Sequence, residues 1–432
     1  MDISQLIATS AVHHVLAGRN LTVSLPAALA LYPNATPQQK GAAADLSYGT
    51  LRYYGQIAAL LKLLLDQPLK DARIHALLAV AMYQLLYDAA DAFTVVNQAV
   101  HAVSQLKKPA PKPWAKGLVN AVCRNFLRQK ESLFAQLAAD EVAQYSYPAW
   151  WIKKIKQQYP QDWQAILAVG NSHPPMSLRV NLKKISMPDY LQLLARIGLE
   201  ATQIGSQGLM LKTPMAVEKI PGFLEGVVSV QDVGAQWAAS LLDVQAGMRV
   251  LDACSAPGGK SGHLLERANL DLTALDNDEK RLVRVQQNLD RLQENAKCLV
   301  GDAGQENWWD GQPFDRILAD VPCSASGIVR RHVDIKWLRR ERDIEQFAQT
   351  QAKILPNLWQ MLAKGGKLLY VTCSIFYEEN QQQIEQFCQQ HADAKQLPLA
   401  FAATSFPLHV QHEQLMPSLT HDGFFYALLQ KN

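Results

Sequence analysis

Apolar positions follow two different rhythms along this 432-residue chain. Up to about residue 140 they recur at three- and four-residue spacing: Leu6, Ile7, Val15 and Leu16, then Leu46, Leu51 and Ile57, then Ile74, Leu77, Leu78, Met82, Leu85 and Leu86. That is the period of amphipathic helices. Pro37, Pro68 and the cluster Pro109, Pro111, Pro113 fall between the runs, where proline starts a helix without interrupting one. An all-helical domain of about five to seven helices is expected over 1–140.

From Tyr145 the texture changes. Pro148, Trp150 and Trp151 open a helical stretch that ends at Asn171, Pro174 and Pro175. A strand at 176–181, a helix at 189–197 and strands at 208–212 and 227–231 follow, so 141–230 reads as a small α/β module. Beyond 231, short apolar runs at 249–254, 271–276, 296–301, 314–320 and 367–373 alternate with helical stretches. Such alternation predicts a parallel sheet covered on both faces. Ligands of these sheets bind at the carboxyl ends of the strands. The expected whole is multidomain: 1–140 helical, 141–230 a small α/β module, 231–432 an α/β Rossmann-like domain.

Composition narrows the class. Hydrophobic residues make up 48% and charged residues 19%, enough for sizeable cores. The longest apolar run, 76–83, is far short of the roughly 20 residues a membrane helix needs. Asp2 puts an acid where a signal peptide carries basic residues. A cytoplasmic protein without a membrane partner is expected. Six cysteines, at 123, 254, 298, 323, 373 and 388, show no CxxC spacing. Neither a disulfide framework nor a metal site is expected.

The net charge of +3 conceals an asymmetry. Residues 1–140 carry 13 basic against 8 acidic side chains, 141–230 carry 9 against 6, and 231–432 carry 20 against 25. Between Asp91 and Glu131 there is no acid, but there are Lys107, Lys108, Lys112, Lys116, Arg124, Arg128 and Lys130. A solvated helix face or a surface for a polyanion would both produce this.

The strand ends carry the candidate chemistry. The first leads into Cys254-Ser255-Ala256-Pro257-Gly258-Gly259-Lys260, whose glycine pair lets the backbone approach a ligand. A nucleotide-phosphate loop would need glycine where Cys254 stands, and Pro257 removes one N–H from the cradle. The second strand ends at Asp276, 18 residues after Gly258, placed to accept from ribose hydroxyls. The third ends at Asp302, a possible acceptor for an exocyclic amine. These ends suit a nucleoside-bearing cofactor without a pyrophosphate. The fourth ends in Asp320-Val-Pro-Cys323 and the fifth in Thr372-Cys373-Ser374. Two thiols at one sheet edge, beside an acid and a cofactor cleft, favour reactivity over packing. Cys123, Cys298 and Cys388 read as core residues, and Trp308 and Trp309 as packing. Arg330, Arg331, Arg339 and Arg340 flank Trp337; RNA backbone contact is favoured for them over ordinary ion pairs with Glu341 and Asp343, while stacking and core packing fit the tryptophan equally.

Pro257-Gly-Gly-Lys260, Asp320-Val-Pro-Cys323 and Thr372-Cys373-Ser374 together resemble the signature of S-adenosylmethionine-dependent RNA (cytosine-5) methyltransferases. Leu178-Arg179-Val180-Asn181, Gln231-Asp232 and Asp422-Gly423-Phe424-Phe425-Tyr426 are similar too. The helical start resembles the NusB fold. The three-part layout resembles the Sun/Fmu group of bacterial 16S rRNA methyltransferases across essentially the whole chain. Ser255 and Val321 stand where alanine is common in the group, and neither removes a functional group. The resemblance implies that Cys254 to Lys260 wraps the methionine part of S-adenosylmethionine, with Asp276 on the ribose and Asp302 near the adenine. It implies Cys373 as nucleophile, Cys323 assisting release and Asp320 near the target base. The implied partner is 16S rRNA or a small-subunit assembly intermediate, met by a monomer. Methylation of transfer RNA and a non-catalytic RNA-binding assembly factor are the rival readings.

Overall fold

A computed structural model describes residues 2–106, 113–401 and 408–432. The chain divides into two compact units: Met1–Ser172 with Val329–Glu341, and His173–Ile328 with Arg342–Asn432.

The first unit is helical. Seven α-helices lie between residues 2 and 136 among the described residues, within the expected range. Their starts follow local chemistry. Thr36 and Gln39 form a reciprocal capping box with Pro37 in the first turn, and the Asp71 and Asp91 carboxylates cap the helices they precede. The apolar run noted in the sequence is the centre of helix Ala72–Tyr87, where Ala76 to Met82 are wholly buried. The stretch opening at Pro148 is two helices, Ala149–Gln158 and Trp163–Gly170. Among the described residues no helix is long and apolar enough to cross a membrane.

Val329–Glu341 packs within this helical unit. Val333 joins its core. Asp334 Oδ2 accepts from the Leu21 N–H at 2.8 Å, capping the helix Leu21–Ala30. The buried Lys336 ammonium donates to Arg52 O (2.6 Å) and Asn171 Oδ1 (2.7 Å), and Trp337 Nε1 donates to Leu51 O (2.7 Å). Trp337 is therefore core. Arg330 is 1% exposed, so it offers no guanidinium to a surface ligand.

The second unit contains two sheets. β1 (Met176–Val180), β2 (Ala201–Ile204), β3 (Gly208–Leu211) and β4 (Val228–Val230) form an antiparallel sheet in the order β2-β3-β1-β4. The larger sheet is built on β5 (Arg249–Ala253), β6 (Asp271–Asp276), β7 (Lys297–Val300), β8 (Phe314–Asp320) and β9 (Leu362–Thr372). These five are parallel in the order β7-β6-β5-β8-β9. The sheet is mixed, however. β10 (Ala394–Leu397), β11 (Val410–Gln411), β12 (Gln414–Leu415) and β13 (Phe424–Lys431) extend it, with β13 antiparallel to β9. Phe424 to Leu428 are buried on both faces, so β13 lacks the alternation that marks a strand in sequence.

Candidate active site

The loop after β5 is shaped by the neighbouring strand. Cys254 and Ser255 both donate their N–H to Leu275 O, at 2.9 and 2.8 Å, and Cys254 takes a left-handed φ of +76°. Gly258, at φ +92°, caps the helix Gly259–Arg267; a Cβ there would lie 3.1 Å from Val285 Cα. Asp276 is 2% exposed at the end of β6. Its Oδ2 accepts from Ala256 N and its Oδ1 from Asp278 N, both at 3.1 Å, while Arg281 Nη2 donates to Ala256 O at 3.2 Å. Asp276 thus tethers the loop, and its carboxylate keeps further acceptor capacity. Asp302 is exposed beyond β7, held by Gly304 N at 2.8 Å, with Trp308 Nε1 on its carbonyl at 2.9 Å.

Several features of this loop suit a nucleoside cofactor. The buried Ser255 Oγ and Asp252 Oδ1 have no hydrogen-bond partner among the described residues, an arrangement native proteins rarely tolerate unless a ligand or water completes it. A Cβ on Gly259 would meet nothing nearer than Gln231 Nε2 at 3.9 Å, so open space faces the backbone there. Asp276 and Asp302 supply acceptors at adjacent strand ends. Burial pushes the Asp252 carboxyl up to about 7 although the Ser261 hydroxyl donates to it at 2.6 Å. Burial likewise pushes the Cys254 thiol up, which fits a packing role for its sulfur.

The thiols meet because β8 and β9 are parallel neighbours. Asp320 pairs with Val371, so the loops beyond both strands leave from the same edge. Cys323 Sγ and Cys373 Sγ lie 3.5 Å apart. The hydrogen bond to Cys373, with burial next, holds the Cys323 thiol well above its usual range. Lys260 Nζ sits 2.7 Å from Asp320 Oδ2, the ion pair half-sheltered from solvent. Burial alone pushes the Lys260 ammonium down; the Asp320 carboxylate more than offsets this, and the net shift is upward. Among the described residues no group of three or more His, Cys, Asp or Glu is placed to hold a metal ion.

Sequence reasoning missed the supports of this site. Arg179, quoted only as part of a motif, forks onto Glu266 at 2.8 and 2.7 Å and donates to Gly259 O at 3.0 Å. Ser324 and Ser374, each directly after a cysteine, converge on the buried Glu379. The repeated Cys-Ser pair at two strand ends was the available signal. On the helical unit, Lys116, Arg124, Arg128 and Lys130 are all exposed along Trp114–Gln136; Lys107, Lys108 and Lys112 lie outside the described residues.

Fold and strand-end chemistry together define a methyltransferase, and comparison with known proteins agrees. The family described as 16S rRNA methyltransferase RsmB/F matches residues 239–430, its ferredoxin-like domain 147–218, and the NusB family 3–128. "Ribosomal RNA small subunit methyltransferase B" of Pseudomonas syringae is 43% identical, covering 99% of this chain and 96% of its own. The protein of the same name from Vibrio cholerae is 40% identical over 98% of this chain and 96% of its own. The crystal structure of PH0851 superposes with a TM-score of 0.81 at 24% identity, covering 100% of this chain and 99% of that one. The chain belongs to the 16S rRNA methyltransferase B/F family and is an S-adenosylmethionine-dependent rRNA methyltransferase.

Proposed function

We propose that this enzyme methylates carbon 5 of a cytosine in 16S rRNA through a covalent cysteine–cytosine adduct. The observation that carries the proposal is the 3.5 Å contact of Cys323 and Cys373 in the loops beyond two adjacent parallel strands, the first of which ends at Asp320, the partner of Lys260. Residues 254–260 hold the methionine part of the cofactor, Asp276 accepts from the ribose hydroxyls and Asp302 lies by the adenine. When bound, S-adenosylmethionine supplies an electrophilic methyl group.

Carbon 5 of cytosine is too weak a nucleophile to react unaided. Addition of the Cys373 thiolate at carbon 6 makes carbon 5 enamine-like and able to take the methyl group. Asp320 contacts N3, where negative charge develops. It offsets that charge by sharing a carboxyl proton with N3 as the thiolate adds, while Lys260 compensates the charge left on the carboxylate. A base then takes the carbon 5 proton, the carbon 6–sulfur bond breaks and Cys373 leaves as thiolate. The Cys323 thiol, kept protonated, hydrogen-bonds the departing sulfur. The target base must be turned out of its stack to reach this edge.

The helical segment 1–140 supplies RNA affinity, 141–230 links and adds RNA contact, and 231–432 performs the chemistry. The enzyme works as a monomer in the cytoplasm, without membrane association.

Cys373→Ala should abolish both methyl transfer and the protein–RNA adduct. Cys323→Ala should still attack but release slowly, so that an adduct accumulates on a denaturing gel. An adduct with Cys373→Ala and none with Cys323→Ala would reverse the assignment. Bisulfite sequencing of RNA from cells lacking the gene identifies the substrate; loss of the mark from transfer RNA alone would overturn the rRNA reading.

A further inference from the structure

Glu379 is wholly buried, and nothing in the reaction above uses it. It closes the short turn Tyr377–Glu379 that follows β9. Its Oε1 accepts from Ser324 N at 2.7 Å and from Gln351 Nε2 at 3.4 Å; its Oε2 accepts from the hydroxyls of Ser324 at 2.6 Å and Ser374 at 2.5 Å. Ser324 follows Cys323 and Ser374 follows Cys373, so one carboxylate grips both cysteine loops from segments about fifty residues apart. Gln351 also donates to Pro322 O at 3.0 Å, extending the grip to the residue before Cys323. Ser326 Oγ lies 3.1 Å from Ser324 Oγ and 3.0 Å from Ser374 Oγ, and accepts from Ile375 N at 2.9 Å.

A buried carboxylate is costly unless its acceptor sites are filled. Here four donors reach two oxygens, about the number a carboxylate accepts. Burial pushes the Glu379 carboxyl up, and the bonds from Ser324 and Ser374 offset this only in part, so the net shift is upward. Hydrogen bonds to a charged acceptor are short and strong, so the clamp sets how far one loop can drift from the other. An acid serving stability alone would have no reason to bind specifically the residue after each of two thiols.

We propose that Glu379 is a positioning residue that locks the loops of Cys323 and Cys373 in register, holding the two thiols in contact for the reaction. The proposal rests on the covalent mechanism above for its meaning, but thiol contact can be measured without RNA. Diamide oxidises two neighbouring thiols to a disulfide, taking up their two electrons and two protons to become a hydrazine. The rate at which the Cys323–Cys373 peptide pair appears in a digest therefore reports their encounter.

In Glu379→Gln the side chain keeps its shape, but its amide cannot accept on both sides: the NH2 must face either the two hydroxyls or the Ser324 N–H and Gln351. Pairing by diamide should slow by about tenfold, and kcat for RNA methylation should fall by about the same factor with KM unchanged, the scale of one charged hydrogen bond. Cofactor affinity by calorimetry should match the parent, which shows the variant is folded. A folded variant whose pairing rate and kcat stay within about twofold of the parent, or whose pairing quickens, would reduce Glu379 to a packing residue. Should Glu379→Gln fail to fold, Ser374→Ala removes one donor and is read in the same way. A parent that never forms an RNA adduct would instead sink the covalent mechanism, while the pairing rate still decides the clamp.

Discussion

Asp252 ionises near neutrality, where a surface aspartate would have lost its proton three pH units earlier, because β5 buries it completely. Its native carboxyl holds a proton up to about pH 7, while the unfolded chain releases it near pH 4. The stabilisation is full below about pH 4, declines as pH rises through 7, and is lost above that. Asp252→Asn should remove this slope, so thermal melts of parent and variant should diverge by up to a few kcal/mol between pH 5 and 8. Parallel curves would show that Asp252 does not titrate there. Gly258 faces a steric limit instead. At φ +92° with Val285 Cα close by, Gly258→Ala should cost about 1–2 kcal/mol in chemical denaturation and weaken cofactor binding. Asp276→Ala should cost on the order of 1–3 kcal/mol of cofactor affinity by calorimetry, with S-adenosylmethionine as the probe. The acids at the strand ends were legible because chain position alone exposes them. The tether from Asp276 to Ala256 was not, since a carboxylate's partners depend on how a distant loop folds back.

At the level of elements, periodicity read well wherever one face is buried. The helices and the five parallel strands follow their apolar spacing, and the two cysteine loops follow from strand adjacency. β13 escaped because it is buried on both faces, and β2, whose middle residues are exposed, because it offers no apolar run. Arg179 shows how a strand of one sheet can govern a loop of another. It is buried on β1, its guanidinium paired with Glu266 near the end of the helix that starts at Gly259. Removing one member of such a pair leaves a buried charge alone, so Arg179→Ala should cost about 3–5 kcal/mol in denaturant unfolding. The double variant Arg179→Met, Glu266→Leu should recover most of that stability. It should still bind cofactor more weakly than the parent, because the contact to Gly259 O is gone. Full recovery of affinity would show that Arg179 acts on stability only.

Over the whole molecule, charge separates from chemistry. The excess of cations lies in 1–140, while the strand-end loops with both neighbouring thiols lie in the acidic 231–432. Replacing Lys107, Lys108, Lys112 and Lys116 by glutamine should weaken RNA binding and flatten its dependence on salt, leaving cofactor affinity unchanged. An unchanged salt slope would make the cluster an ordinary solvated face. The assignment of Val329–Glu341 to the helical unit has a consequence for how such a protein can be divided. A gene cut after residue 172 would encode two polypeptides, neither self-sufficient. The first would lack Val333 from its core and the ammonium that satisfies Arg52 O; the second would carry Val333 and Trp337 as an uncovered apolar graft. Expressed separately, each piece should aggregate. Expressed together, they should reassemble as a split enzyme, with the graft serving as the plug that rejoins them.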